Sequence, residues 1–209
     1  MAKNQPNQHL YQVKKAELNP AVDTLVQAFT DDPYFKVIFG QINPSLDLIC
    51  QYFKAIIKYA QCYGEIYADS EDLKGLAIWL PSDFQQFKMN DLFSCGVLFD
   101  ILNLGVQPIQ RLYYFVQENN LYIKQLPLPR KFSYLFYLGI KPQYQGQGLG
   151  RQLVSGFIKI LDRKKMSCLL QTNIKRNTEF YQKFGFELAA HKQLKTQDLE
   201  IWYLVRKSQ

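Results

Sequence analysis

Histidine is scarce in this sequence. The two present among 209 residues, His9 and His191, have no metal-ligand spacing around them. The four cysteines, Cys50, Cys62, Cys95 and Cys168, form no C-x-x-C pair. A metal site is therefore not expected, and a cysteine nucleophile would have almost no base to serve it. The thiols read as reduced, small core residues of a cytoplasmic protein. No apolar run reaches the roughly 18 residues that a membrane span needs. The longest, near 73–80 and 96–106, are both interrupted. The first nine residues are polar, without a hydrophobic region of the signal-peptide kind, so neither secretion nor a membrane partner is expected. Internal repeats and low-complexity tracts are absent as well.

What is present suits one ordinary core. Apolar residues make up 47% and charged residues 21%, which excludes a wholly disordered chain. The length implies one domain, with residues 1–8 as a flexible tail and 9–209 as the folded unit. The net charge of +7 is unevenly placed. Residues 141–209 hold 13 Lys and Arg against 5 Asp and Glu, whereas 1–140 hold 12 against 13. A basic last third suits an anionic partner: nucleic acid, a phosphorylated cofactor or an acidic surface. A solvated basic face without a partner is the plain alternative.

Periodicity and punctuation predict the elements. A weak strand is expected over 9–14. A helix over 20–30 would be capped by Asn19 and stopped by Asp31-Asp32-Pro33. A second helix runs from Asn43-Pro44-Ser45 to Gly64. Strands follow at 65–68 and 73–80, the latter apolar on both faces. Residues 82–127 read as a helical insertion, with helices at 89–103 and 108–125. The remainder alternates: a strand at 132–140, a glycine-rich loop, a helix at 148–164 and a strand at 166–172. A short helix at 177–183 and two strands at 186–193 and 199–205 complete it. Asn177 could cap the short helix.

The chemistry-bearing segment is the strand–loop–helix unit around Lys141-Pro-Gln-Tyr-Gln145-Gly-Gln-Gly-Leu-Gly150. Glycines at 146, 148 and 150 remove side chains at a helix N-terminus, where free N–H groups and the helix dipole favour an anion such as a pyrophosphate. No Gly-Lys-Ser/Thr follows, so this is not a Walker loop. The gap from Ile140 to Gly146 is too long for a dinucleotide fingerprint.

The segment Gln145-Gly146-Gln147-Gly148-Leu149-Gly150 resembles the Gln/Arg-x-x-Gly-x-Gly/Ala pattern of the GNAT superfamily of acyl-CoA N-acyltransferases. Leu138-Gly139-Ile140-x-Pro142-x-Tyr144, Gln171-Thr172-Asn173 and Asn177-x-x-Phe180-Tyr181-x-x-x-Gly185-Phe186 resemble its neighbouring segments, in order, across 134–186. The resemblance implies an α+β (mixed α/β) fold. Its central, mostly antiparallel sheet of six to seven strands is flanked by helices, and two strands splay apart at the cofactor-binding core, 132–186. It implies acetyl-CoA as the acyl donor. The backbone from Gln145 through Gly146, Gln147, Gly148, Leu149 and Gly150 to Arg151 would hold the CoA pyrophosphate. Leu138, Gly139 and Ile140 would pair with the pantetheine arm like an added strand, and an N–H there would serve as an oxyanion donor. Asn177 and Asn173 would support that arm. Tyr181 would protonate the leaving thiolate. Arg151 and Lys175-Arg176 are further candidates for the CoA phosphates.

One departure bears on mechanism. Relatives closest in this strand often carry His and Glu where this sequence has Phe132 and Gln171. No carboxylate lies on 132–140. A base would have to come from Asp31, Asp32 or Glu65, or act through water. The expected function is acetyl transfer to the primary amine of a small molecule, held between 29–39 and the insertion. The partner set is that amine, no nucleic acid and no membrane, with a homodimer as an option. The missing carboxylates favour an alternative, a non-catalytic or regulatory CoA-binding module. The aromatic content of 15% and the basic last third favour a nucleic-acid binder, but the aromatics fall at core periods and no RNP-type motif is present.

Overall fold

A computed structural model describes residues 10–40, 44–82, 89–195 and 198–208. The tail expected at 1–8 and part of the insertion lie outside these residues. The described chain runs β1 (Tyr11–Gln12), α1 (Leu18–Phe29), α2 (Pro33–Phe39), α3 (Leu46–Tyr63), β2 (Glu65–Ala68) and β3 (Gly75–Pro81). Three helices follow: α4 (Met89–Ser94), α5 (Leu98–Leu102) and α6 (Val106–Ile123). It ends with β4 (Ser133–Ile140), α7 (Leu149–Arg163), β5 (Cys168–Thr172), α8 (Arg176–Gln182), β6 (Glu187–Leu194) and β7 (Leu199–Arg206).

These strands form one seven-stranded sheet in the order β1-β2-β3-β4-β5-β7-β6. Every pairing is antiparallel except β4 with β5. This is the mixed α/β architecture that the resemblance implied. β3 is buried along Gly75–Leu80, as its unbroken apolar run requires of a strand covered on both faces. On one face α1, α2, α3 and α6 pack through residues such as Leu25, Phe35, Phe53 and Phe115. On the other, α7 and α8 pack through Leu153, Phe157 and Tyr181. There Trp79 stacks on Phe157 with centroids 3.9 Å apart. Each such fully buried side chain contributes about 1.5–3 kcal/mol.

The structure corrects several local expectations. Asn19 does not cap α1. It lies inside the helix, which is preceded by a turn of 3-10 helix over Lys15–Glu17. The backbone N–H of Lys14 donates to Glu17 Oε2 at 2.7 Å, and Pro20 falls in the first turn, where no N–H is needed. Asp31-Asp32-Pro33 does end α1, but Asp32 also starts α2, a helix the sequence reading missed. The Asp32 carboxylate accepts from the Tyr34 N–H at 2.8 Å, with Pro33 at the first helical position. The helix expected at 89–103 is two, because Gly96 takes a left-handed φ of +65° between them. Only Cys168 of the four thiols is buried; Cys62 is exposed, so the cysteines are not uniformly core residues.

Polar clamps hold the helices of the 89–123 segment to the body. Buried Asp100 on α5 accepts from Lys58 of α3 at 2.6 Å. On α6, Asn119 Oδ1 accepts from the Tyr203 hydroxyl of β7 at 2.6 Å. At the far end of α7, Asp162 and Arg206 of β7 pair at 2.6 Å, and Arg206 Nε also donates to the Phe184 carbonyl.

Candidate active site

β4 and β5 pair only over Ser133–Leu135 and Cys168–Leu170. β4 then runs on to Ile140 beside β3 alone. Its register against β3 steps from Ile78↔Tyr137 to Trp79↔Leu135, which leaves Phe136 as an extra, unopposed residue. A bulge of this kind bends a strand and increases its twist. Beyond it, the β5-facing edge of Phe136–Ile140 has no strand partner among the described residues.

A cavity of about 120 Å³ occupies the parting. It brings together four of the residues expected from the sequence: Leu138, Asn173, Asn177 and Tyr181. Tyr181 is buried, and burial raises its hydroxyl pKa well above the ordinary tyrosine value, so it stays protonated at neutral pH. Asn177 lies within α8 and is not its cap; its amide donates to Thr172 Oγ1 at 3.2 Å. Asn173 donates to Asp32 Oδ1 at 2.7 Å.

Asp32 lines the same cavity, and neither Asp31 nor Glu65 does. Asp31 is exposed, and Glu65 faces Lys164 at 3.4 Å beside a different cavity. Burial raises the Asp32 pKa, opposed by the hydrogen bonds from Asn173 and the Tyr34 N–H. Of the three carboxylates left open by the sequence, only this one reaches the site.

The glycine loop lies past the end of β4, with 145–148 exposed. Gly146 and Gly148 adopt φ of +77° and +86°, a left-handed conformation costly to other residues. A Cβ built at either would meet nothing within 4 Å, so their space is open rather than filled by the protein. The Gln145 side chain donates to the Ile140 carbonyl at 3.1 Å and fixes the loop against the strand. Leu149 and Gly150 begin α7, and Gly148 precedes it. Arg151 is exposed with its guanidinium carbon 5.9 Å from the Phe184 ring. Gly139 also packs: a Cβ there would come within 2.8–3.0 Å of Phe29, Ala28 and Leu25 on α1.

Two features had no sequence signal. The hydroxyls of Tyr34, Tyr52 and Tyr137 form a chain, 3.3 Å and 2.8 Å apart, drawn from α2, α3 and β4. A second cavity of about 390 Å³ lies beneath α4–α6. Tyr34, Phe115, Tyr134, Phe136 and Gln171 line both cavities and so form the wall between them.

Parted strands beside a glycine-rich turn at a helix N-terminus are the arrangement that the resemblance to acyl-CoA N-acyltransferases implied. Residues 111–188 match the family described as acetyltransferase (GNAT) domain. An uncharacterised N-acetyltransferase of Schizosaccharomyces pombe is 24% identical over 189 residues, covering 83% of this chain and 72% of the relative. A histone acetyltransferase HPA2-related structure from Corynebacterium glutamicum shares the fold at TM-score 0.67 and 19% identity, over 96% of both chains. The C-terminal condensation domain of Ebony, solved with beta-alanyl-dopamine, shares it at TM-score 0.69 and 8% identity, over 95% of this chain and 98% of that one. The GNAT acetyltransferase match thus covers residues 111–188, and the whole chain shares its fold with these solved structures.

Proposed function

We propose that this protein moves an acetyl group from acetyl-CoA to the primary amine of a small molecule by direct transfer. The observation that carries the reading is the cavity at the strand parting, where Leu138, Asp32, Asn173, Asn177 and Tyr181 converge. Residues 9–209 act as one domain in this reading, with 132–186 holding the donor and 82–127 shaping the acceptor side.

The residues present fit coenzyme A. Open left-handed glycines at 146 and 148 leave room for phosphate oxygens against the N–H groups of 145–151, at the positive end of α7. The edge of Leu138, Gly139 and Ile140, which no described strand covers, offers backbone N–H groups to the pantetheine arm. Bound acetyl-CoA supplies an activated acetyl group and a thiolate leaving group. Tyr181 holds a proton through neutral pH and donates it from its hydroxyl to the departing sulfur. Asp32, oriented by Asn173, accepts a proton from the acceptor ammonium. A backbone N–H of the open β4 edge polarises the carbonyl. The alternative of a non-catalytic CoA-binding module rested on missing carboxylates, and Asp32 provides one.

The test is thiol release from acetyl-CoA across a panel of primary amines, with mass spectrometry of the acetylated product. Turnover of a small amine supports the reading. Thiol release only by hydrolysis, or acetylation of proteins alone, overturns it. Gly148→Asp, which sets a like charge where the pyrophosphate is placed, should abolish donor binding.

A further inference from the structure

The fold does not name the acceptor, since structures sharing it carry names as different as a histone acetyltransferase and a dopamine-conjugate condensation domain. The acceptor has to be read from this chain's own cavities. The one under α4–α6, at about 390 Å³, falls within the roughly 300–1,000 Å³ usual for small-molecule sites. No Asp, Glu, Lys or Arg is among its lining residues. One wall is the α3 face of Tyr52, Ala55, Ile56 and Tyr59, spaced at one helical stripe. The facing wall comes from α5 and α6, including Ile101, Leu112 and Val116. The Lys58–Asp100 bond ties the α3 wall to α5 and the Asn119–Tyr203 bond ties α6 to β7, so the space is part of the folded body.

Polar chemistry concentrates where the two cavities meet. The side-chain oxygen of Gln171 is buried with no hydrogen-bond partner among the described residues. A buried acceptor left unsatisfied is costly, so it favours a ligand that brings a donor. On the catalytic side stands the Asp32 carboxylate, another acceptor. An amine brings N–H donors to both. A long acyl chain, the other occupant such a cavity would admit, brings none.

We propose that the cavity under α4–α6 holds the uncharged, apolar tail of the amine acceptor, and that Gln171 is a specificity-determining residue receiving an N–H or O–H of that acceptor at the passage. The substrate class is a primary amine with an aromatic or branched aliphatic body, as opposed to a polyamine, a lysine side chain or a sugar. This rests on the acetyltransferase reading for its chemistry, but the pocket stands or falls by binding.

The experiment measures amine affinity by calorimetry on the full chain with coenzyme A present, so that no turnover is needed. The probes are ethylamine, butylamine, hexylamine, 2-phenylethylamine and spermidine. Affinity should rise about fourfold per buried methylene, with 2-phenylethylamine well above ethylamine and spermidine. Ala55→Phe and Leu112→Trp, which fill the cavity from opposite walls, should each erase most of that tail dependence. Circular dichroism and the thermal shift with acetyl-CoA report whether each variant is folded. Gln171→Leu should weaken every amine about tenfold or more. Affinities that ignore tail length overturn the proposal, whatever the enzyme turns over. So does a cavity-filling variant that alters discrimination between acetyl-CoA and hexanoyl-CoA while leaving amine preference intact. Tail-dependent binding with no acetylation of any amine supports the pocket and sinks the transferase reading instead.

Discussion

Asp32 does three jobs at once: it stops α1, caps α2 and presents a carboxylate to the cavity. Asp32→Asn keeps the cap, since Asn serves nearly as well there, and removes the base. Amine acetylation should fall about 10²–10⁴-fold, and the acid limb of kcat/KM should disappear. Its stability should respond in a particular direction. Burial raises the folded pKa of Asp32 above its unfolded value near about 4. Folding then favours the protonated acid, so the group's contribution is most favourable below that value and declines as pH rises towards the folded pKa. The Tm of Asp32→Asn relative to wild type should improve as pH climbs above about 4; movement the other way would mean that the bonds from Asn173 and Tyr34 outweigh burial. Tyr181→Phe keeps the buried ring. It should leave Tm unchanged and lower kcat about 10²–10⁴-fold, with no new limb in the neutral pH profile. An unchanged kcat with acyl transfer rate-limiting would leave Tyr181 as packing. Tyr181 was legible because its motif is local. Asp32 was legible only as one of three carboxylates, because its partner Asn173 lies 141 residues away.

Among elements, α1 sits closely on β4 at Gly139, beyond the last β4–β5 pair. Gly139→Ala would drive a methyl group to 2.8–3.0 Å from Phe29, Ala28 and Leu25. Overpacking of this kind costs about 1–3 kcal/mol, and because α1 leads into Asp32, activity should fall with stability. Gly150→Ala should separate the two effects. Its Cβ meets Phe180 at an ordinary 3.6 Å, and alanine is favoured over glycine in a helix by about 1 kcal/mol. That variant should melt no lower than wild type yet bind acetyl-CoA more weakly, measured by calorimetry, if the first turn of α7 approaches the phosphates. Helices with a clear stripe and stop, such as α1 and α3, were legible. Short α2 was not, because Pro33–Phe39 is nearly all apolar and gives no helical period to detect. The bulge at Phe136 was hidden for a similar reason: register belongs to two strands, and only the pairing with β3 reveals it.

Across the whole molecule, charge and site divide the same way. The basic last third carries the glycine turn, and the near-neutral first 140 residues supply α1–α6 and all but Gln171 of the lining of the cavity beneath α4–α6. Acetyl-CoA at 100 times Kd should stabilise the fold by about 2.7 kcal/mol, a rise of about 5–11 °C for a chain of this size. The rise should shrink at fixed ligand as salt is raised from 50 to 500 mM, because exposed charges are screened beyond about 10 Å at 0.1 M. A shift independent of salt would remove the basic surface from donor binding.

The sequence by itself determined the strand–loop–helix segment of this protein. The motif from 134 to 186 is nearly contiguous, and its glycines, helix start and Tyr181 act over short chain distances, so spacing alone exposes them. Tertiary structure alone decided the cavities. The tyrosine hydroxyl chain joins α2, α3 and β4, the 390 Å³ cavity is walled by α3 and α4–α6, and the buried Gln171 oxygen is left without a partner among the described residues only by what packs around it. A pocket is the space left between elements that meet from distant parts of the chain, and no local pattern of residues encodes that space.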